Sequence, residues 1–169
     1  MAKRKIPPIN YVILFGIFVL VICACFAANN LYNVIRENRI STSPLATKQV
    51  LYEDLRNTTQ EINADTFLVI SYVQDDEVHE NEVEIERTLN RHNLMDNVMY
   101  LDVTDYKNDA SFCADLNDLL DLLGNLEITN FPAVVFYKDG VPTYTTDSTD
   151  HLLNAGDFEQ IIDMYDLAS

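Results

Sequence analysis

The chain has 169 residues, of which 48% are hydrophobic, and a formal net charge of −16. That length accommodates one domain of ordinary size plus an anchor, and the hydrophobic fraction argues against a disordered chain. From Asn29 onward 8 Lys and Arg stand against 27 Asp and Glu. This balance argues against nucleic acid or anionic lipid as a partner, because both need a basic footprint. We interpret the acidity as keeping the domain soluble.

An apolar run near the N-terminus is the first predicted element. Tyr11–Ala28 reads YVILFGIFVLVICACFAA and contains no charged residue. As a helix it would measure about 27 Å, close to the thickness of a bilayer core. Lys3, Arg4 and Lys5 precede it, and an excess of basic residues marks the cytoplasmic side. We therefore predict a cytoplasmic segment over 1–10 and a single cell-membrane helix, with everything after it outside the cytoplasm.

Two other interpretations share these residues. A cleaved secretory signal would use a small-residue site, to which Ala27 and Ala28 contribute. Ile22–Cys25 resembles a lipobox, in which a lipidated Cys25 would become the new N-terminus. All three interpretations place the rest of the chain outside. Within a membrane, Cys23 and Cys25 are most simply small apolar residues.

The outer part divides into a juxtamembrane segment and linker over 29–45, broken at Pro44, and a domain over 46–169. Hydrophobic periodicity and turn residues predict the domain's elements. They are helices over 47–63, from Asp75, from Ser111 to Gly124 and near the C-terminus, and strands over 66–73, 97–103, from Pro132 to the Asp139-Gly140 turn and over 141–146. The order α-β-α-β-α-β-β-α predicts an α/β fold with a mixed sheet covered by helices on both faces, a three-layer sandwich.

That order, with the run NFPAVVFYKDG over 130–140, resembles the thioredoxin fold across residues 46–169. More narrowly, the chain is similar to small membrane-anchored thioredoxin-like proteins of Gram-positive bacteria, including bacteriocin transport accessory proteins. The resemblance implies a cis peptide bond before Pro132. It also implies that extended polypeptide is received at Phe131 and Pro132, beside the start of the helix that carries Asp76 and His79.

The chain departs from the family where the family does its chemistry. The two cysteines of the thioredoxin Cys-x-x-Cys motif would fall near Asp76 and His79, and neither position is a cysteine. Ile70 stands where these proteins keep a buried acid. Without a dithiol the usual mixed-disulfide exchange has no route. We therefore expect a non-catalytic binding or accessory module for exported or membrane proteins, without a cofactor.

Asp76 and His79, the neighbouring carboxylates and Cys113 each have a second interpretation. Asp76 and His79 share a helix face and could act as an acid–base pair, yet acids in a first helical turn are favourable helix chemistry by themselves. The run of carboxylates over 75–80 lacks the spacing of a calcium loop, so no metal site is predicted. Cys113, the only cysteine after residue 28, is most simply a packed residue. The alternative function is a thiol–disulfide protein, or a component of such a system, acting through an exposed, low-pKa Cys113 close to Pro132.

Overall fold

The computed structural model describes residues 8–109 and 111–167, which divide into two compact units, one up to Arg39 and one from Ile40 onward. The described residues of the first unit belong to one helix, α1, which spans Pro8–Ile40 and whose last residue is the first of the second unit. Over Ile9–Ile40 this helix has a mean hydropathy of 2.8 in its most apolar stretch. Its length and composition make it capable of crossing a membrane.

The second unit contains the remaining helices and strands of the described chain. They are β1 (Gln49–Val50), α2 (Leu55–Gln60), β2 (Thr66–Ser71), α3 (Asp76–Arg91), β3 (Val98–Asp102), α4 (Phe112–Leu119), β4 (Ala133–Lys138), β5 (Val141–Asp147) and α5 (Ala155–Tyr165). Short 3-10 turns lie at Tyr52–Asp54, Met95–Asn97 and Gly124–Leu126.

The strands form one mixed sheet in the order β1-β3-β2-β4-β5. β3 runs parallel to β1 and β2, whereas β4 is antiparallel to both β2 and β5. This arrangement makes β2 central, and its sequence TFLVIS has the β-branched and aromatic character of a buried strand. The residues of β2 from Phe67 onward are buried on both faces.

Two hydrophobic cores flank the sheet, because side chains alternate between its faces. Leu68 and Ile70 of β2 pack toward α2 and α4 in one core. Phe67 and Val69 pack toward α3 and α5 in the other. The α/β class, the mixed sheet between helical layers and the preceding apolar helix are therefore confirmed.

The predicted helix over 47–63 is wrong for most of its length. Val50 instead pairs with Leu101 of β3 as an edge strand, and Leu51 has extended backbone. Helical structure starts only after the 3-10 turn and, as α2, ends at Gln60. The free edge of β3 provides backbone hydrogen-bonding partners that the local apolar spacing does not reveal.

The third predicted helix is also shorter than expected. α4 ends at Leu119, and the chain then turns with Asp121 and Gly124 at positive φ. Leu122 is buried in the core, and its N–H donates to the carbonyl of Asn117 at 2.9 Å. The turn closes the helix because it buries Leu122 while satisfying a terminal carbonyl.

Candidate functional site

Four segments of the domain meet at one end of the sheet. Sheet register places Ile70 of β2 and Asp147 of β5 on either side of Ala133, the first residue of β4. Ser71 of β2 pairs with Asp102 of β3. The connections that follow β2, β3 and β5, and the one that precedes β4, therefore lie together, and we call this the loop end of the sheet.

The segment Thr129–Pro132, here the Pro132 loop, enters β4 at the loop end. Its Phe131–Pro132 peptide bond is cis. Both residues are buried, Phe131 with 7% of its surface exposed. The N–H of Phe131 donates to Oδ1 of Asn130 at 3.0 Å. Asn130 is therefore exposed to solvent, whereas the Phe131 ring is not.

Asp147 holds the Pro132 loop in place from the end of β5. Its Oδ2 accepts hydrogen bonds from Thr129 N and Thr129 Oγ1, both at 2.7 Å, and from Asn130 N at 3.1 Å. Ser148 Oγ donates to the carbonyl of Pro132 at 2.7 Å. Burial raises the pKa of Asp147, but the hydrogen bonds from Thr149 and Thr129 outweigh it and leave that pKa below its ordinary value. The loop is therefore fixed by a carboxylate that stays ionised at neutral pH.

An aromatic cluster adjoins the Pro132 loop and consists of Tyr52, Tyr106, Phe112 and Phe131. Tyr106 stacks on Phe112 with ring centroids 4.3 Å apart and planes 7° apart. Phe112 also contacts Tyr52 at 5.2 Å and Phe131 at 6.0 Å between centroids. Tyr106 remains 40% exposed. The cluster gives the loop end an apolar surface with one open aromatic ring.

Sequence reasoning missed this cluster, because Tyr52 falls within the helix predicted over 47–63 and Tyr106 falls outside every predicted element. Phe112 falls within the helix predicted from Ser111 to Gly124, where no surface role was assigned to it. The predicted topology could have indicated Tyr106, because a residue in the connection after β3 lies at the same end of the sheet as the Pro132 loop.

The start of α3 carries the residues that stand near the family's cysteine positions. Asp75 caps the helix as predicted, since its side chain accepts from Glu77 N at 3.0 Å and from Val78 N at 3.1 Å. Asp76 and His79 lie on the first turn and are half-buried. They occupy the same end of the sheet as Phe131 and Pro132, and so the structure brings these four predicted residues to one end of the domain.

A polar link fixes the connection between β2 and α3. Thr104 donates through its N–H and its hydroxyl to Oδ1 of Asp102. The same hydroxyl accepts from the N–H of Val73 at 2.9 Å. Because Val73 follows β2 and Thr104 follows β3, this contact ties two of the loop-end connections together.

Cys113 is the second residue of α4 and is half-buried. Burial raises the pKa of its thiol, and the negative charge of Asp147 raises it further. The thiol therefore lies near the Pro132 loop, as the redox alternative requires. Its pKa is shifted in the direction opposite to the one that activates a thiol.

The electrostatic environment at the start of α3 is also negative. Burial raises the pKa of Tyr72, and the charges of Asp75 and Glu77 raise it further. Lys107 Nζ lies 4.7 Å from the centre of the Tyr72 ring, a cation–π distance. Among residues 8–109 and 111–167, no group of three or more His, Cys, Asp or Glu side chains is arranged to hold a metal ion.

The fold and its loop end define a thioredoxin-like α/β domain that follows an apolar N-terminal helix in the chain. No family model matches the sequence, and no curated protein matches it significantly.

Solved structures similar to this chain include chloroplastic thioredoxin z, with 16% identity over 72% of this chain and 95% of that one, at a TM-score of 0.46. A designed protein is similar at 15% identity over 76% and 98%, with a TM-score of 0.43. Thioredoxin O2 from Arabidopsis thaliana, in its oxidised state, is similar at 10% identity over 70% and 94%, also with a TM-score of 0.43.

Proposed function

We propose that this chain is a membrane-anchored, extracytoplasmic binding module that receives an extended segment of an exported or membrane protein at its loop end. The proposal assigns it no redox chemistry of its own. In keeping with the family resemblance, the host would be a Gram-positive bacterium, with the N-terminus of the chain in its cytoplasm. The observation that carries the proposal is the fixed Pro132 loop beside an aromatic cluster with one open ring.

The fixed loop favours binding because little conformational entropy is lost when a partner docks. Asp147 and Ser148 together hold three of the four residues of the loop by hydrogen bonds, namely Thr129, Asn130 and Pro132. The N–H groups of Thr129, Asn130 and Phe131 are bonded within the domain, so an extended polypeptide would donate its own N–H groups to carbonyl oxygens of the loop. Preorganised contact surfaces of this kind improve affinity mainly by lowering the ordering cost.

The aromatic cluster supplies the apolar contact that such a segment needs. Tyr106 is held against Phe112 by stacking, so its exposed face is presented in one orientation. Rigid tyrosines bury large area on binding and are enriched among residues that dominate interface energies. We therefore place the main side-chain contact at Tyr106 and the backbone contact at Asn130.

The binding test uses the full chain in lipid nanodiscs against a displayed library of random peptides. We expect selected peptides to lose at least about tenfold in affinity for Tyr106→Ala, a change of about 1.4 kcal/mol. Met164→Ala on α5 is the matched control, because Met164 is a similarly exposed apolar side chain, 51% against 40%. It should leave binding unchanged.

Selected peptides that bind Tyr106→Ala as tightly as the unaltered chain would reject the loop end as the contact surface. A selection that yields no peptide above background would reject polypeptide binding itself. Placing a photo-crosslinking amino acid at position 106 and, separately, at position 164 in living cells then asks whether partners are captured at the first position alone.

A further inference from the structure

A small cavity lies at the opposite end of the sheet from the Pro132 loop. It has a volume of about 170 Å³ and borders Tyr137, which pairs with Thr66, the first residue of β2. Its walls come from α2, the end of α4 and the β4–β5 hairpin. The residues that line it include Arg56, Gln60, Leu119, Asp121, Tyr137 and Pro142. This space corresponds to about five or six water molecules, or to one small organic molecule.

Tyr137 brings a buried hydroxyl group to this cavity. The residue has 2% of its surface exposed and belongs to the core that packs toward α2 and α4, so its ring extends from β4 toward the gap between these helices. Among the residues that the structure describes, its hydroxyl has no hydrogen-bond partner. A buried donor without an acceptor is unfavourable, and an acceptor bound in the cavity would relieve that cost.

The hydroxyl of Tyr137 stays protonated at neutral pH and is therefore able to donate. Burial raises the pKa of Tyr137, and the negative charge of Asp121 raises it further. A neutral phenol donates one hydrogen bond, and such a bond is strongest when the acceptor is an ionised oxygen. A carboxylate is thus the acceptor that suits this hydroxyl best, provided that a cation offsets the repulsion from Asp121.

Two opposite charges line the same cavity without meeting. Arg56 on α2 and Asp121, two residues after the end of α4, are both exposed. In the part of the chain that the structure describes, no ion pair joins either side chain to another group. A guanidinium and a carboxylate that border one small cavity and remain apart leave room between them for a ligand that carries both signs of charge.

We propose that the cavity binds a free amino acid in its zwitterionic form, with a short aliphatic side chain. The ligand's carboxylate accepts hydrogen bonds from the guanidinium of Arg56 and the hydroxyl of Tyr137, and its ammonium group donates to Asp121. Arginine suits this role because its planar guanidinium can bind both oxygens of a carboxylate. Leu119 and Pro142 provide the apolar contact for the ligand's side chain.

The ligand reaches the Tyr137 hydroxyl without opening of the fold. Arg56 and Gln60 stand at exposed positions of α2 beside the cavity, and exposed side chains change rotamer within picoseconds to nanoseconds. Their movement is sufficient to admit a molecule of this size. Because the cavity and the Pro132 loop lie at opposite ends of the sheet, this inference stands independently of the proposed binding function.

Saturation-transfer NMR of the full chain in lipid nanodiscs tests the site with L-valine, and empty nanodiscs give the baseline. L-Valinamide lacks the carboxylate and isovalerate lacks the ammonium group, while both keep the aliphatic part. We expect valine to bind and each analogue to bind at least about tenfold more weakly. The proposal is overturned if valine does not bind at about 10 mM, or if either analogue binds as tightly as valine.

Substitutions locate the bound valine. Arg56→Gln and Asp121→Asn should each weaken its binding at least about tenfold, because each removes one charge partner. Arg87→Gln is the matched control, since Arg87 is an exposed arginine on α3, away from the cavity, and it should leave binding unchanged. Valine binding that Arg56→Gln and Asp121→Asn both retain would place the ligand elsewhere and overturn the site.

Tyr137→Phe provides a second measurement that does not depend on the ligand. Because the hydroxyl has no partner within the described chain, its removal should leave the midpoint of thermal unfolding unchanged or raise it in the absence of valine. The same variant should bind valine at least about fivefold more weakly. A lowered midpoint would show that the hydroxyl is already bonded in the free chain, and unchanged valine binding would show that the ligand does not use it; either result overturns its assignment.

Discussion

Asp147 organises the loop end through hydrogen bonds that the sequence pattern does not display. One carboxylate oxygen accepts two backbone N–H groups and a hydroxyl, and its other oxygen accepts Thr149 N at 3.1 Å. The same charge raises the pKa of Cys113. A single acid at the end of β5 thus fixes the loop geometry and adds to the effect of burial in disfavouring the thiolate of Cys113.

Asp147→Ala should lower the free energy of unfolding by about 1–2 kcal/mol at neutral pH, because it removes charge-assisted hydrogen bonds at a partly exposed position. Since the folded pKa of Asp147 is depressed, its contribution is present above the ordinary aspartate pKa and is lost as pH falls through the folded pKa. Urea unfolding of the full chain at several pH values measures both effects. If the unaltered chain and Asp147→Ala differ in the free energy of unfolding by as much in acid as at neutral pH, this account is contradicted. Asp150→Ala, at an exposed position, is the control.

Cys113 should react more slowly with a thiol reagent near neutral pH than free cysteine does. Burial and the charge of Asp147 raise the thiol pKa, so less thiolate is present. In Asp147→Asn the charge is lost, and we expect the reaction–pH profile to shift toward lower pH. If the reaction–pH profile of the unaltered chain lies at the same pH as that of free cysteine, or at lower pH, the redox alternative through Cys113 would be favoured again.

At the scale of elements, the β4–β5 turn joins the hairpin to the segment that precedes β2. Gly140 has φ of +80°, and a Cβ added there would collide with the carbonyl oxygen of Ile62. Asp139 N donates to Asp65 Oδ1 at 3.2 Å from the same turn. The hairpin turn is therefore specified by close backbone approach as well as by turn conformation.

Gly140→Ala and Gly124→Ala form a matched pair for this feature. Both glycines have positive φ, but only at Gly140 is the Cβ position occupied. We expect Gly124→Ala to cost about 1 kcal/mol in stability and Gly140→Ala to cost about 2 kcal/mol or more. Thermal or urea unfolding measures the loss of stability in each variant. Equal losses would show that backbone strain alone, and not the contact with Ile62, requires glycine at position 140.

At the scale of the whole molecule, the chain joins an apolar helix to an acidic domain. The side chains of α1 from Ile9 to Arg39 are exposed, and its apolar stretch is long enough to cross a membrane. The domain from Ile40 onward has its own sheet and two cores. The proposed anchoring and the proposed binding would therefore belong to different units.

The predicted topology is tested with alkaline phosphatase, which is active only outside the cytoplasm, fused after Ser169. We expect an active fusion with the natural N-terminus. Substituting Lys3, Arg4 and Lys5 with Asn should lower its activity, because the basic excess sets orientation. Mass spectrometry of the membrane-extracted chain distinguishes a retained anchor from cleavage near Ala28 and from lipidation at Cys25. An inactive fusion would place the domain in the cytoplasm.

The sequence by itself determined the apolar helix, the α/β class and most strands and helices of the domain. Those features depend on local periodicity, as in β2 and α3, and on short-range turn chemistry such as the Asp75 cap. Only tertiary structure decided that residues 49–50 join β3, that Phe112 meets Phe131, and that Tyr100 meets Glu82. Each of these contacts joins residues far apart in the chain. Their energies come from strand pairing and from burial across the fold, which local sequence patterns do not reveal.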